Sequence, residues 1–256
     1  KDFFDRLDDV EEELTRPEDD QSFVENPIEA GVGDMLQGGF LVKKRLGRGS
    51  TSVALLVERD ERQTVLKLAA EYDHNDRVRE EAKVLEEIRH SCIVALDGEV
   101  EVSGYRGLLL QFAGKGTLAD RIRQEGRIHS ELLERFGGDL LQALNHLEEH
   151  GISHRDIKPG NLGLVESGSK GKLHMILFDF SLARVSPDNI RAGTPPYLDP
   201  FLKDSSRRRW DLHAERYAAS MTLYEMATGT LPKWGDGRSD PAMLDCDVTI
   251  DGELFE

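Results

Sequence analysis

His154-Arg155-Asp156-Ile157-Lys158-Pro159-Gly160-Asn161 is the stretch on which the reading of this chain turns. Polar residues this dense, placed after an apolar helical pattern and its closing Gly151, do not build a core. The spacing lets Asp156 accept a proton from a hydroxyl while Asn161 reaches a metal ion. Lys158, beside them, can neutralise charge developing on a transferred phosphoryl group.

Working outward, the run from Leu173 to Leu177 is mostly apolar and leads into Phe178-Asp179-Phe180. A carboxylate at the end of a buried strand is well placed to ligate Mg²⁺; alone, Asp179 reads equally well as a turn cap. Upstream, Leu46-Gly47-Arg48-Gly49-Ser50-Thr51-Ser52-Val53 lies between two strand patterns. Glycines let such a hairpin approach phosphates with its N–H groups free, although a Gly-rich hairpin is more often structural. No Gly-Lys-Ser/Thr follows, so it is not a Walker A loop, and a strand rather than a helix follows, so it is not a dinucleotide fingerprint. Lys67 sits mid-strand among Val65, Leu66 and Leu68 and by itself reads as an exposed edge-strand lysine. Glu81 changes that reading. The helix from Asn75, a plausible N-cap, to Arg89 has the apolar stripe Val78, Ala82, Leu85 and Ile88, and Glu81 falls on the same inward face. A buried carboxylate asks for a cation, and Lys67 can supply it while holding an ammonium against nucleotide phosphates.

Strands are expected from Phe40 to the glycines at 47 and 49, over Val53–Val57 and Thr64–Leu68, and in short pieces over Val94–Leu96, Glu99–Val102 and Leu108–Phe112. Gly114, Gly116 and Thr117 then form a hinge-like break. Beyond it Leu133, Phe136, Leu140, Leu144 and Leu147 form a helical stripe, and a second apolar helix runs from about Ala214 to Thr228 and stops at Gly229. A strand-rich first half followed by a helix-rich second half implies an α+β chain of two lobes.

The chain has 256 residues and a formal net charge of −16, which argues against a nucleic-acid surface or an anionic membrane patch. No apolar run is long enough to span a membrane and no signal peptide is present. Cys92 and Cys246 are distant in sequence and read as reduced thiols, consistent with a cytoplasmic location. Residues 1–36 read as a broken acidic leader, and the first residue, Lys1, is not Met, which suggests a piece of a longer protein.

These motifs, in this order, resemble the eukaryotic-type protein kinase family over about residues 40–235. The resemblance implies a bilobal fold, with a β-rich N-lobe over residues 37–113 and a helical C-lobe over 114–256 that stops short of the family's last helices. It implies ATP and Mg²⁺ as cofactors and a protein substrate phosphorylated on Ser or Thr. In its terms Asp156 matches the catalytic base and Lys158 the residue typical of Ser/Thr kinases. Lys67 with Glu81 matches the active-state ion pair, and Asn161 and Asp179 match the metal ligands. The loop of Gly47, Gly49 and Val53 covers ATP, Val65 lines the roof of the adenine pocket and Gly163 its floor, Leu110 stands at its back, and Gln111 to Ala113 offer backbone hydrogen bonds. Val65 is larger and Gly163 smaller than the family's usual residues, so the two are expected to compensate. Gly193-Thr194-Pro195-Pro196-Tyr197 resembles the peptide-binding loop, with Thr194 against Asp156 and Lys158.

A narrower resemblance, carried by Phe178-Asp179-Phe180-Ser181-Leu182-Ala183-Arg184, Tyr197–Leu202 and Ala214–Ala218, is to the kinase domains of bacterial phage-growth-limitation (BREX) defence proteins. Several positions depart from the kinase pattern. Ser52 replaces the loop's third glycine, Ser181 the glycine after Asp-Phe, Phe201 the Glu that ends the peptide-binding segment, and Glu215 an Asp that anchors the catalytic loop. The alternative reading is an ATP-binding pseudokinase acting as a switch or scaffold. Against it stands the intact set Lys67, Glu81, Asp156, Asn161 and Asp179.

Overall fold

In a computed structural model the described residues are 23–167, 171–203, 208–234 and 244–245. Residues 1–22, which hold most of the acidic leader, and Cys246 lie outside them; Cys92 is a buried free thiol.

Strands β1 (Met35–Leu36), β2 (Phe40–Arg48), β3 (Ser52–Arg59), β4 (Arg62–Ala69), β5 (Leu96–Val102) and β6 (Tyr105–Leu110) form one antiparallel sheet ordered β1-β2-β3-β4-β6-β5. Side chains alternate across a pleated strand, and here each face has its own partner. Val42, Val53, Leu55, Val57, Leu66 and Leu68 share one cluster with Ile28, Ala30 and Leu36. The sheet therefore takes in residues that the sequence reading assigned to the leader: β1 pairs with β2, and the chain from Ile28 onward covers the sheet's outer face. Apolar Ile28, Ala30 and Leu36 among the acids are what draw it in.

The inner face receives helix α1 (Asn75–Glu87), whose buried residues Val78, Glu81, Ala82, Val84 and Leu85 include the expected stripe. Asn75 does not cap this helix. It is the first helical residue, and its side chain instead accepts from Arg106 N at 2.8 Å and donates to Gly104 O at 3.3 Å, tying α1 to the β5–β6 turn. Ile88 is already extended but stays buried. Val94 belongs to no strand of the sheet; its N–H donates to Leu177 O, and Leu177 N to Cys92 O, each at 2.9 Å.

The second lobe is built on α2 (Leu118–Glu125), α3 (Ser130–Glu149) and α4 (Leu212–Thr228), with a hairpin of β7 (Leu162–Ser167) and β8 (Lys172–Leu177). Helix α2 was not anticipated. It starts at a reciprocal capping box in which Thr117 Oγ1 accepts from Asp120 N and Asp120 Oδ2 accepts from Thr117 N. Helix α3 buries Leu133, Phe136, Leu140, Leu144 and Leu147 as its periodicity requires. It also buries Asp139, whose carboxylate accepts from Met175 N at 2.8 Å and so docks the hairpin. Lys233–Trp234 and Leu244–Asp245 form a further two-residue antiparallel pair, β9 and β10.

The connection between the lobes runs through Gln111 to Thr117 and presses on β7. Gly114 has φ +89, and a Cβ there would come within 1.8 Å of Leu164 O. Only glycine fits such a backbone approach at positive φ. Gly163 is the other half of this contact. A Cβ on it would meet Ala113 O at 2.3 Å and Ala113 Cβ at 2.7 Å.

Candidate active site

Three motif residues distant in sequence meet under the sheet. Lys67 lies on β4, flanked by β3 and β6, and is buried rather than on an edge. Its Nζ donates to Glu81 on α1 and to Asp179 Oδ1 after β8, both at 2.7 Å. Glu81 Oε1 also accepts from Phe180 N at 3.0 Å. Burial works against the ammonium, but the two carboxylates outweigh it and raise the Lys67 pKa. Burial likewise works against the Asp179 carboxylate, and Lys67 overrides it, holding that pKa well below the usual carboxylate range. The cluster is therefore one cation and at least one firmly ionised carboxylate, buried at Lys67 and Glu81 and open to the cleft at Asp179.

A second cluster lies in the catalytic octet. Asp156 Oδ1 accepts from Thr194 Oγ1 at 2.6 Å, and Asp156 Oδ2 accepts from Lys158 Nζ at 2.6 Å and from Asn161 Nδ2 at 3.0 Å. Lys158 Nζ also donates to Thr194 Oγ1 at 2.6 Å, and Asn161 Nδ2 to Asp156 O at 2.8 Å. The Asn161 side-chain nitrogen makes both of these side-chain bonds, which leaves the side-chain oxygen, the better donor to a hard cation, for a metal ion. His154 is fully buried between the clusters. Its Nδ1 accepts from Asp156 N at 3.2 Å, so the proton sits on Nε2 and is donated to Phe178 O at 3.0 Å. Burial lowers its pKa and keeps it neutral. Arg155 and Asp179 hold φ of +72° and +71°, so the non-glycine left-handed positions of the described residues include one in each motif, where surrounding bonds must hold the strain.

The support beneath the octet was only partly anticipated. Glu215 on α4 accepts from Arg155 N and from Trp210 Nε1, both at 2.8 Å, and burial pushes its pKa up to about 7. The Arg155 guanidinium donates to the carbonyls of Val185 (2.6 Å), Ser186 (3.0 Å) and Asn189 (3.5 Å) and lies 5.0 Å from the Trp210 ring centroid. Trp210 N donates to Pro187 O at 2.7 Å, and the ring packs with Leu202 and Ala214. Trp210 carries no sequence signal of its own. Tyr197 of the expected peptide-binding loop donates to Glu225 on α4, which together with the Trp210 cluster holds the segment that ends in Phe201 rather than Glu.

A cleft of about 450 Å³ opens between the lobes; Lys67 and Asp179 of the first cluster line it, and the octet reaches it at Gly160. Its walls include Gly47, Gly49, Ala54, Val65, Lys67, Val94, Leu110, Gln111, Ala113, Phe178 and Asp179. Two expected lining residues are absent from it. Val53 is fully buried in the outer-face cluster; Ser52 and Ala54, on either side of it, face the cleft, so the loop reading was out by one residue of a two-residue period. Gly163 does not line the cleft; a Cβ on it would meet Ala113, which does, so its small size makes room for Ala113 and not directly for Val65. Leu46 and Phe178, which the sequence reading did not single out, take part in the walls. A larger groove, about 710 Å³, lies between α3 and α4 around Leu141, His146 and Leu223 and contains none of the expected catalytic, nucleotide or metal residues.

The donor set suits Mg²⁺. Among the described residues no group of three or more His, Cys, Asp or Glu side chains could hold a metal by itself. Asn161 and Asp179 offer two oxygen donors, and Mg²⁺ is typically bound by one or two carboxylates together with substrate phosphates.

Residues 40–250 match the family model described as protein kinase domain. The chain is 36% identical to the "Probable kinase PglW" of Streptomyces coelicolor over 282 aligned residues, covering 95% of this chain and 18% of that protein. It is 34% identical to human "Ribosomal protein S6 kinase alpha-3" over 216 residues, 78% of this chain and 28% of that one. Against "Serine/threonine-protein kinase AtPK1/AtPK6" of Arabidopsis thaliana it is 28% identical over 207 residues, 77% and 43% respectively. The chain thus spans less than half the length of each of these relatives.

Proposed function

The chain belongs to the protein kinase family, and we propose that it transfers the γ-phosphate of ATP to Ser or Thr hydroxyls of a protein substrate. The observation that carries this reading is the Asp156 carboxylate, which already accepts a threonine hydroxyl at 2.6 Å with Lys158 bonded to both groups. A substrate hydroxyl presented to the same carboxylate would lose its proton there as its oxygen attacks phosphorus. Lys158 would stabilise charge on the transferring group, and Asn161 fixes the carboxylate's orientation. Lys67, steadied by Glu81, would orient the phosphates, with Gly47 and Gly49 above them and the backbone of Gln111 to Ala113 along the base. Asn161 and Asp179 would hold Mg²⁺, which when bound neutralises phosphate charge. Against the switch reading, Lys67, Glu81, Asp156, Asn161 and Asp179 are all present, with Lys67 bonded to Glu81 and Asp179 and Asn161 bonded to Asp156.

The Ser/Thr assignment rests on Lys158 and on relatives whose names state Ser/Thr or S6 kinase activity. The bacterial relative named a probable kinase, together with the motifs from Phe178 to Ala218, supports a place in phage defence within a larger protein. No described helix is long and apolar enough to cross a membrane, and a cytoplasmic setting is part of the proposal. The test is transfer from radiolabelled ATP to a mixed protein substrate, followed by phosphoamino-acid analysis with Asp156→Asn as control. Label on Tyr alone, or equal label from the control, overturns it.

A further inference from the structure

We propose that residues 26–34 form a strap that aims the glycine-rich loop, with Arg45 as the positioning residue that couples the two. The proposal rests on the nucleotide-binding reading of the cleft.

The two arms of the loop pair with each other at Gly47–Ala54 and Arg48–Val53, and beyond that pairing its tip has little to hold it. Residues from Leu46 to Ser50 are exposed, a Cβ at Gly47 would touch nothing within 4 Å, and the turn is closed by a backbone bond from Gly49 N to Ser52 O at 2.8 Å. Its direction is therefore set at its root. There, β2 is irregular twice: the register against β3 shifts between Val42 and Lys44 and again between Arg45 and Gly47. Such irregularities bend a strand and re-aim the chain beyond them. Arg45 stands between the two, immediately before the loop.

Arg45 does not face solvent alone. Its Nη1 donates to Ala30 O and its Nη2 to Ile28 O at 3.0 Å, two carbonyls of the strap taken by one planar fork. Ile28 and Ala30 are themselves buried against the outer face of the sheet, 3% and 0% exposed. The strap is also internally braced: Asn26 Oδ1 accepts from Ile28 N at 3.1 Å, and Asp34 Oδ2 from Gly31 N at 2.7 Å. It is laced to the start of β2 by Gly33 N to Val42 O (2.8 Å) and Val42 N to Asp34 O (2.9 Å). One residue of the strap reaches the loop directly, Glu29 Oε1 bonding Arg48 Nη1 at 2.9 Å. That pair is more than half exposed on both sides and is the lesser contact. The loop also lines the nucleotide cleft through Leu46, Gly47, Arg48 and Gly49. A movement of the strap is therefore transmitted to the groups that would cover phosphates.

The experiment compares the parent chain with Arg45→Lys, Arg45→Ala and Glu29→Ala. Three readouts are taken: binding of a fluorescent ATP analogue, KM for ATP against kcat, and hydrogen exchange at the amides of residues 47–52. Lysine keeps the charge but offers its donors from one nitrogen instead of the rigid two-nitrogen fork that spans the Ala30 and Ile28 carbonyls, so Arg45→Lys should fold with a weakened tie. It should raise the analogue Kd and the ATP KM about fivefold with kcat within about twofold, since uniform binding is what is lost. Loop amides should exchange faster. Arg45→Ala should exceed it and Glu29→Ala fall below it. If Arg45→Ala does not fold, the other two variants decide. Parent-like Kd, or parent-like loop exchange, in Arg45→Lys overturns the strap. So does a fall in kcat at constant ATP KM. A parent chain that binds no analogue counts against the nucleotide reading itself.

Discussion

The two polar clusters of the cleft are built on opposite plans. Around Lys67 a cation is sealed between two carboxylates on three different elements, with Glu81 and Lys67 almost wholly buried. Around Asp156 the groups are partly open: a carboxylate, an ammonium, an amide and a hydroxyl share one short loop and its neighbour. The first arrangement is costly to assemble and nearly immovable once formed, because any lost partner strands a buried charge. The second lets one partner be exchanged, since a hydroxyl is what Asp156 holds. A group that must hold phosphates in one place benefits from the first plan, and a group that must receive a proton from an arriving hydroxyl needs the second.

The comparison breaks most directly at Asp156. Asp156→Asn keeps the size of the side chain and its bonds to Lys158 and Asn161 in part, so melting temperature and ATP-analogue binding should stay near the parent's. Transfer should fall by a factor of about 10² to 10⁴, the range for loss of a general base. Parent-like rates would remove the proton-receiving role from this cluster.

Lys67→Met tests the other plan. Glu81 would be left without its cation in a site only 2% exposed at its side chain. Stranding a buried charge costs about 3–5 kcal/mol, here toward the lower end because Asp179 keeps 35% of its side chain open to solvent. Lys67→Met with Glu81→Gln should recover much of the loss of stability but none of the ATP binding. A single mutant as stable as the parent in denaturant would show that Glu81 does not depend on Lys67 for its burial.

Beneath the octet, Glu215 gives the comparison a pH dependence. Its pKa is raised from an ordinary value of 4.5 to about 7, by burial first, against the bonds from Trp210 and Arg155. Between those values the folded chain holds a proton that the unfolded chain has released, so stability contributed by this group falls as pH rises through the window. The full swing is about 3 kcal/mol. Stability of the parent relative to Glu215→Gln, which does not titrate, should therefore be greatest near pH 4.5 and decline toward pH 7.5. A flat difference between the two chains would place the charge elsewhere.

Legibility in the sequence divides along the same line. The octet was readable because its polar groups are contiguous and fit no core, and Lys67 with Glu81 because a carboxylate on an apolar helix face demands a partner. Asp179 gained its meaning from those two. Val53 was misplaced because Ser52 stands where a third glycine would have fixed the loop's register, and one residue of slip turns every side chain to the other face. Trp210 was invisible because its partners, Arg155 and Glu215, are brought to it by chain that carries no pattern. The strap was hidden by composition: a few apolar residues among acids decide its course.

Gly163 was misread for a related reason, and it makes a smaller test. Its close neighbour is the backbone of Ala113, approached from a segment fifty residues away, and no local signal marks that contact. Gly163→Ala places a Cβ within 2.3 Å of Ala113 O, where backbone must move. Overpacking of this kind costs about 1–3 kcal/mol, and it should appear as a lower melting temperature. Adding Val65→Ala should recover nothing, because the two residues do not share the cleft. A recovery in the double mutant would restore the idea that Gly163 lines the pocket.

The smallest effect is expected at Ser186, and its smallness is informative. It is the hydroxyl in the middle of the stretch between Asp179 and Pro200, and its own carbonyl takes the Arg155 guanidinium, a group that could receive a phosphate. Yet Arg155 is already committed. Three backbone carbonyls of this same segment take its guanidinium, and Trp210 covers its face. A phosphate on Ser186 would have to displace bonds that already order the segment, so it would gain little. The Ser186 hydroxyl itself bonds only to Asp188, accepting from its N–H at 3.3 Å and facing its carboxylate at 3.5 Å in an exposed turn. Surface changes of that kind are usually worth no more than about 0.5 kcal/mol. Ser186→Ala should therefore keep transfer within about twofold of the parent, and Ser186→Glu should not exceed it. Trp210→Ala, which uncovers Arg155 and removes a donor from Glu215, should lower activity several-fold more than either. A large loss in Ser186→Ala that Ser186→Glu restores would mean that the segment is ordered by phosphorylation after all, and that the carbonyl cage around Arg155 is only one of two states.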